Sequence, residues 1–313
     1  MQDWWKATFP KGRQTLRITD ANGHAVSIAY GEKGTGKPLF LVHGIGSWSY
    51  NWRYSVEPLS QYFRVICFDA KGYGFSEKPV SREKPDHQII ELERIMRALC
   101  LDEPAVVVAE SLGALASLAV AEDYPKLVAR LVVINVSIFP KGLPHWGMLL
   151  LSQMPLELLE TIDYGRMTYL LAPLVREIMA IERRSVLFDP SKLTELDSYW
   201  MSYPFIELSG TVTKVAEDLQ IAAREIRHLQ ENKPNLISKI QNNLERIKCA
   251  TLILWGKEDS WFPYSDGEKL RDRIPGSKLK ILQNCNHDAS SGSPDAVNAA
   301  VLQFLWDTDF LNQ

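Results

Sequence analysis

The sequence predicts an α/β chain: a mostly parallel central sheet flanked by helices on both faces, with an inserted helical cap. Three observations carry this. Apolar, β-branched runs alternate with helix-length stretches from about residue 38 to residue 135, the order of a parallel sheet covered on both sides. The run Val106-Val107-Val108-Ala109-Glu110 stops at Ser111, and a small-residue helix starts directly behind it. The sheet pattern then lapses from about residue 136 to residue 235 and resumes near Thr251.

Taken in order, residues 1 to 10 are Trp-rich and read as an irregular surface arm. Gln14–Thr19 and His24–Tyr30 read as strands joined through Asn22-Gly23, a hairpin signal. Pro38–Val42 is a short apolar strand running into His43-Gly44-Ile45-Gly46, and a helix is expected over Trp52–Ser60. Arg64–Phe68 is a buried strand that ends at Asp69 and a Gly-punctuated loop through Pro79. Asp86–Cys100 carries Ile89, Leu92, Ile95, Met96 and Leu99 on one helical face. The Ser111 strand and helix follow, then a strand over Val128–Asn135.

Between residues 136 and 235 there is little strand signal. The region is apolar and helical, cut by prolines at 140, 144, 155, 173, 190 and 204, with a longer amphipathic helix over Thr213–Gln230. It reads as a cap, so the expected domains are a core of 1–135 and 236–313 and a cap of 136–235. A helix over Leu236–Ile247, a strand over Thr251–Trp255, a helix over Ser265–Arg273 and a strand over Leu279–Leu282 complete the sheet pattern. Ser293-Pro294 opens the last helix, with serine as the expected cap and proline in the first turn.

Composition bounds the function. The 313 residues are 46% hydrophobic and 23% charged, ordinary globular values, with a net charge of −3 and no basic run of nucleic-acid-binding length. No uninterrupted apolar run reaches membrane-spanning length, so no integral membrane segment is expected. Cys67, Cys100, Cys249 and Cys285 stand singly. With no signal-peptide pattern at the start, they read as reduced thiols of a cytoplasmic protein. The sequon Asn135-Val136-Ser137 carries no weight in that setting.

Ligands of open α/β sheets gather at the carboxyl ends of the strands. His43-Gly44-Ile45-Gly46, Ser111, Asp259 and His287 all sit at such ends. Ser111 stands at a strand–turn–helix apex, flanked by small Ala109 and Gly113 where strand and helix nearly touch. Alone, that string serves equally as a helix N-cap. A serine nucleophile needs a base, and the base needs a carboxylate to hold its tautomer. Ser111, Asp259 and His287 occur in that chain order. Glu258, Asp163 and Asp197 compete for the acid role, and His43 reads as a structural residue of its loop.

HGIG at 43–46, DAKGYGFSEKP at 69–79, AESLG at 109–113, LILWGKEDSWFP at 252–263 and NCNH at 284–287 together resemble the α/β-hydrolase superfamily, in its capped, serine-nucleophile branch. The resemblance implies the α/β-hydrolase fold, Ser111 as nucleophile, Asp259 as acid and His287 as base. It also implies an oxyanion hole from the backbone N–H groups of Ile45 and Leu112. Epoxide hydrolases and dehalogenases of the superfamily carry Asp where this chain has Ser111, which favours acyl transfer over an alkyl-enzyme. The oxyanion-loop and histidine-loop strings, HGIGSW and Asn-His-Asp, depart from those usual in C–C bond hydrolases. Gly44, Trp48, Glu110 and Trp146 are candidate pocket residues.

The expected activity is hydrolysis of a carboxylic ester of a hydrophobic small molecule, with no metal and no organic cofactor, by a monomer or homodimer. The alternatives are C–C or thioester cleavage by the same triad. From another class come a ligand-binding receptor and an acyltransferase or lyase on the same scaffold.

Overall fold

The computed structural model describes residues 2–101 and 103–310; Met1 and residues 311–313, at the ends of the expected core, lie outside the described residues. Eight strands form one sheet: β1 (Gln14–Thr19), β2 (Ala25–Lys33), β3 (Pro38–Val42), β4 (Arg64–Phe68), β5 (Ala105–Glu110), β6 (Val128–Ile134), β7 (Ala250–Gly256) and β8 (Lys278–Leu282). Their order is β1-β2-β4-β3-β5-β6-β7-β8. The β1–β2 and β2–β4 pairs are antiparallel, and every pair from β4 through β8 is parallel.

Strand β5 shows why the sheet is two-sided. All six of its residues are buried. Val107 and Ala109 pack into one layer, whereas Val106 and Val108 pack into the other. That alternation follows from the two-residue period of a strand. A sheet covered on both faces therefore reads as a continuous apolar run. Each fully buried Val or Leu contributes about 1.5–3 kcal/mol.

The helices divide accordingly. α1 (Trp4–Thr8) and α2 (Val56–Ser60) lie on one face, while α3 (His87–Cys100) and α4 (Ser111–Asp123) lie on the other. α5 (Trp146–Gln153), α6 (Leu156–Tyr164), α7 (Met167–Leu170), α8 (Ala172–Ser185), α9 (Glu195–Glu207) and α10 (Thr211–Gln230) form a helical block with no strand among its described residues. The chain returns to the sheet through α11 (Leu236–Gln241), and α12 (Tyr264–Arg273) covers β7 and β8. A short α13 (Ala289–Gly292) and α14 (Pro294–Asp307) finish it. No described helix is long and apolar enough to cross a membrane.

Four local expectations are corrected. Residues 1 to 10 are not a surface arm. Asp3 caps α1 through the Lys6 N–H, and Trp5 is fully buried, packed on Phe9, Trp48 and Phe75. Two adjacent tryptophans carry enough apolar area to dock even a five-residue helix. The expected Trp52–Ser60 helix is split into a 3₁₀ turn over Ser49–Trp52 and α2. The Leu236–Ile247 helix likewise stops at Gln241, before a 3₁₀ turn over Leu244–Arg246. Ser293 does not cap α14: its hydroxyl donates to the Asn284 carbonyl instead.

Candidate active site

The site is built where β5 ends. Ser111 opens α4 with φ +55°, in the left-handed region that a non-glycine side chain occupies only under strain. The sharp turn this produces needs small neighbours. A Cβ on Gly113 would fall 2.3 Å from the His43 carbonyl oxygen, and one on Gly44 would lie 3.0 Å from the Ser111 Cβ. Ala109, with no exposure, fills the strand side of the turn.

Ser111 Oγ lies 3.1 Å from His287 Nε2. On the far side of the ring, His287 Nδ1 is 3.1 and 3.2 Å from the two carboxylate oxygens of Asp259. With that carboxylate ionised, Nδ1–H donates to it and Nε2 is free to accept the serine proton. Asp259 is aimed by two further bonds, accepting the N–H groups of Trp261 and Phe262 at 2.8 and 3.0 Å. The rival carboxylates are engaged elsewhere. Glu258 accepts the Cys285 N–H, Asp163 accepts the Thr213 N–H at the start of α10, and Asp197 pairs with Arg53 and caps α9.

His43 shapes the loop beside the serine. Its Nδ1–H donates to the Gly44 carbonyl at 2.9 Å and its Nε2 accepts the Ala70 N–H at 3.0 Å. Burial pushes its pKa down to about 4, which leaves it neutral and fixes that tautomer. Arg183, from α8, donates to the Gly46 carbonyl at 3.2 Å and so ties the same loop to the helical block. Ile45 lines one cavity with Ser111 and Leu112. The Leu112 N–H belongs to the first turn of α4, where a helix leaves its amides unpaired and carries positive dipole. Asp69 anchors the next loop, accepting from the Ser49 hydroxyl and the N–H groups of Ser49 and Phe75. Burial raises its pKa to about 6.

Glu110 is buried away from solvent. Its carboxylate accepts the N–H groups of Ala289 (2.8 Å) and Ser290 (3.1 Å), the Ser290 hydroxyl (2.6 Å) and the Asn51 amide (2.9 Å). It borders a small cavity shared by Gly44, Ser111, Arg183 and His287, but it acts as a brace between β5 and the histidine loop. Burial first, then the nearby Asp288 charge, raises its pKa. Trp48 is not a pocket residue. It is packed against Trp4, Tyr50 and Trp200, with its indole N–H donating to the Trp200 carbonyl. Trp146 lines an outer groove of about 450 Å³ rather than the space at the serine, and is 73% exposed.

Two residues that sequence reasoning passed over organise the site. Asn135, closing β6 in a left-handed conformation, donates to the carbonyls of Asn286 and His287 and accepts the Gly256 N–H. It joins the histidine loop to the end of β7, and as a fully buried side chain it is no glycosylation acceptor. An Asn directly after an apolar strand was the available signal. Trp261 lies over His287 with ring centroids 4.4 Å apart. It also lines both the inner cavity, which contains Ser111, and the outer groove. The inner cavity, about 110 Å³, is walled mainly by apolar side chains such as Leu115, Leu143, Met148 and Leu219.

Away from the serine, Glu83, His87 and Glu91 bring donor atoms within 4.8 Å of one another. The buried Lys71 ammonium already sits among them, pairing with Glu83, Glu91 and Asp20. A cation thus occupies the place that a metal would need.

A serine elbow, a histidine and an aspartate at the carboxyl end of a mostly parallel sheet define a protein class. The family model of the alpha/beta hydrolase fold matches residues 37–294, and the chain belongs to that family. Epoxide hydrolase 4 from Homo sapiens is 26% identical over 297 residues, spanning 93% of this chain and 78% of its own. The 2-hydroxy-6-oxononadienedioate/2-hydroxy-6-oxononatrienedioate hydrolase of Escherichia coli (strain SE11) is 26% identical over 298 residues, spanning 93% of this chain and 94% of its own. A thermophilic esterase from Thermogutta terrifontis shares the fold at a TM-score of 0.69 and 22% identity, over 94% of this chain and 98% of that one.

Proposed function

We propose that the chain is a serine hydrolase cleaving a carboxylic ester of a hydrophobic small molecule through an acyl-enzyme. The observation that carries this reading is the unbroken Ser111–His287–Asp259 hydrogen-bond chain opening on a mainly apolar cavity. Residues 136–235 act as the cap that roofs the site.

His287 takes the Ser111 proton as the oxygen attacks the ester carbonyl. The Asp259 carboxylate stabilises the imidazolium, and the N–H groups of Ile45 and Leu112 hold the oxyanion, each worth about 10²–10³ in rate. The tetrahedral species collapses, the alcohol leaves with the proton from His287, and the acyl group stays on Ser111. Water, deprotonated by His287, then releases the acid and restores the serine. With serine as the attacking group, the chain lacks the Asp nucleophile expected of epoxide hydrolases.

The test is hydrolysis of p-nitrophenyl esters from acetyl to long acyl chains by wild type and Ser111→Ala. Turnover that disappears in the variant supports the reading, and undiminished turnover in the variant overturns it.

C–C bond cleavage of an oxo-acid is the second reading. It is favoured by Arg183, which lines the small cavity with Ser111 and His287 and, held by Asp288 and the Gly46 carbonyl, brings a cation there for a substrate carboxylate. The E. coli relative is named for such a dioate. Release of an acid from a vinylogous 1,5-diketone, with no turnover on esters, selects this reading over the first.

A further inference from the structure

Most of the large hydrophobic side chains that stand exposed on this chain, among the described residues, lie between Trp146 and Phe188, on helices α5–α8 and the turns beside them. Trp146 is 73%, Leu170 69% and Leu150 56% exposed. Soluble proteins seldom leave so many apolar side chains of one stretch in water, and such concentrations mark contact surfaces. We propose that this face of α5–α8 docks on a lipid surface, from which a lipophilic substrate passes directly to the serine.

Three features select a lipid layer as the occupant. First, the patch is the mouth of a path. Trp146, Leu150 and Ile178 line the outer groove as well as standing on the surface, and that groove meets the inner cavity at Ile45, Met148, Leu219 and Trp261. A second protein copy seated there would close the path, whereas a lipid layer would feed it. This choice rests on Ser111 being the nucleophile. Second, residues 146–188 hold five acidic and four basic side chains, so this segment has almost no net charge to complement a charged partner. Third, exposed Trp146, Tyr164 and Tyr169 stand among the aliphatic side chains, and Trp and Tyr favour the boundary between hydrocarbon and water. A helical seam with another copy is disfavoured because α8 has only 14 residues, too few for a coiled coil that needs three or more heptads.

The test is flotation of the full chain with phosphatidylcholine vesicles at low and high salt. The expected result is binding that salt leaves unchanged. The triple variant Leu170→Glu, Leu174→Glu, Ile181→Glu, whose positions lie outside both cavities, should bind roughly tenfold less or weaker still. Its cleavage of a short soluble ester should remain as in wild type. Fluorescence gives an independent readout on the unaltered fold. Brominated lipid should quench a component of tryptophan emission that Trp146→Phe lacks. Absence of flotation, flotation unaffected by the triple variant, or flotation confined to anionic lipid and abolished by salt each overturns the proposal. So does a dimer in light scattering that the triple variant dissolves. Flotation of Ser111→Ala separates the two readings: vesicle binding that survives alongside unchanged ester turnover would refute the nucleophile and leave the docking face standing.

Discussion

The Glu110 carboxylate accepts a 2.8 Å hydrogen bond from the backbone N–H of Ala289, so the residue before the elbow serine holds the segment just beyond His287. Glu110→Ala strands that N–H and the neighbouring Ser290 N–H in a buried site, at about 1–3 kcal/mol for each unsatisfied group. Glu110→Gln keeps a carbonyl acceptor for the pair. Denaturant unfolding should place the alanine variant about 3 kcal/mol below wild type, with the glutamine variant between them. Equal stability for all three would mean that Glu110 does not brace the loop.

Ser111 holds φ +55°, which costs a residue with a Cβ about 1–2 kcal/mol. Ser111→Ala removes the hydroxyl and leaves that strain in place. Ser111→Gly removes both. Both variants should lose turnover, and the glycine variant should be the more stable by about 1 kcal/mol, after allowance for the freedom glycine gains when unfolded. A glycine variant that melts below the alanine variant would show that the turn stores no strain.

Gly113 sits where α4 passes the His43 carbonyl. A methyl group there would lie 2.3 Å from backbone oxygen, a contact that only movement of the loop or the helix can relieve. Gly113→Ala should lower kcat at least about tenfold, by displacing the proposed oxyanion donors, the Ile45 and Leu112 amides, more than it raises KM. It should also melt earlier. Unchanged kinetics would place the oxyanion donors elsewhere.

Glu122, near the end of α4, supplies a pH test. Burial, then the adjacent Asp123 charge, raises its pKa to about 8, and its Oε1 has no hydrogen-bond partner. A raised carboxyl pKa means that the folded chain holds its proton after the unfolded chain has lost it. The stabilisation is complete below about pH 4.5 and is lost as pH rises to about 8, an effect on the order of a few kcal/mol. Asp69 and Glu110 are raised too, to about 6 and about 7, and share the lower part of that range. Between pH 7 and pH 8 Glu122 is the largest of these contributions, and Lys78, whose pKa burial lowers to about 8, works against it because the folded chain sheds that proton first. Thermal melts should therefore show Glu122→Gln losing less Tm than wild type over that interval. Parallel curves would refute the assignment.

Much of this was legible in the sequence, for physical reasons that differ by element. The core strands announce themselves because both of their faces are buried, which forces the Val- and Leu-rich runs of β3, β5 and β7. Ser111 and Asp259 were legible because each follows such a run, and His287 because it lies in the exit loop of the last strand; the structure brings all three into hydrogen-bond contact. Trp48 was not placed correctly, and Trp146 lines the outer groove, not the space at the serine. An aromatic side chain serves equally well in a core or a pocket, and only the docking of α1 and α9 buries Trp48. Lys71 was invisible as a buried cation. Its partners Asp20, Glu83 and Glu91 lie far apart in the chain and meet only after the β1–β2 turn and α3 have packed. Asn135 was read only as a sequon, since its three backbone partners come from β7 and the histidine loop.

Strands β6 and β7 are hydrogen-bonded neighbours, with Ile134 opposite Leu254, yet the whole of α5–α10 is threaded between them in the chain. The excursion departs from and returns to adjacent rows of one sheet. The foundation closes on itself whatever is built above it. Such a joint lets the upper storey be lengthened, shortened or swapped as a cassette while β5, β7 and β8 keep the serine, aspartate and histidine in register. New preferences could then arise by exchange of one contiguous stretch of gene, with no change to the three side chains that meet at the carboxyl end of the sheet.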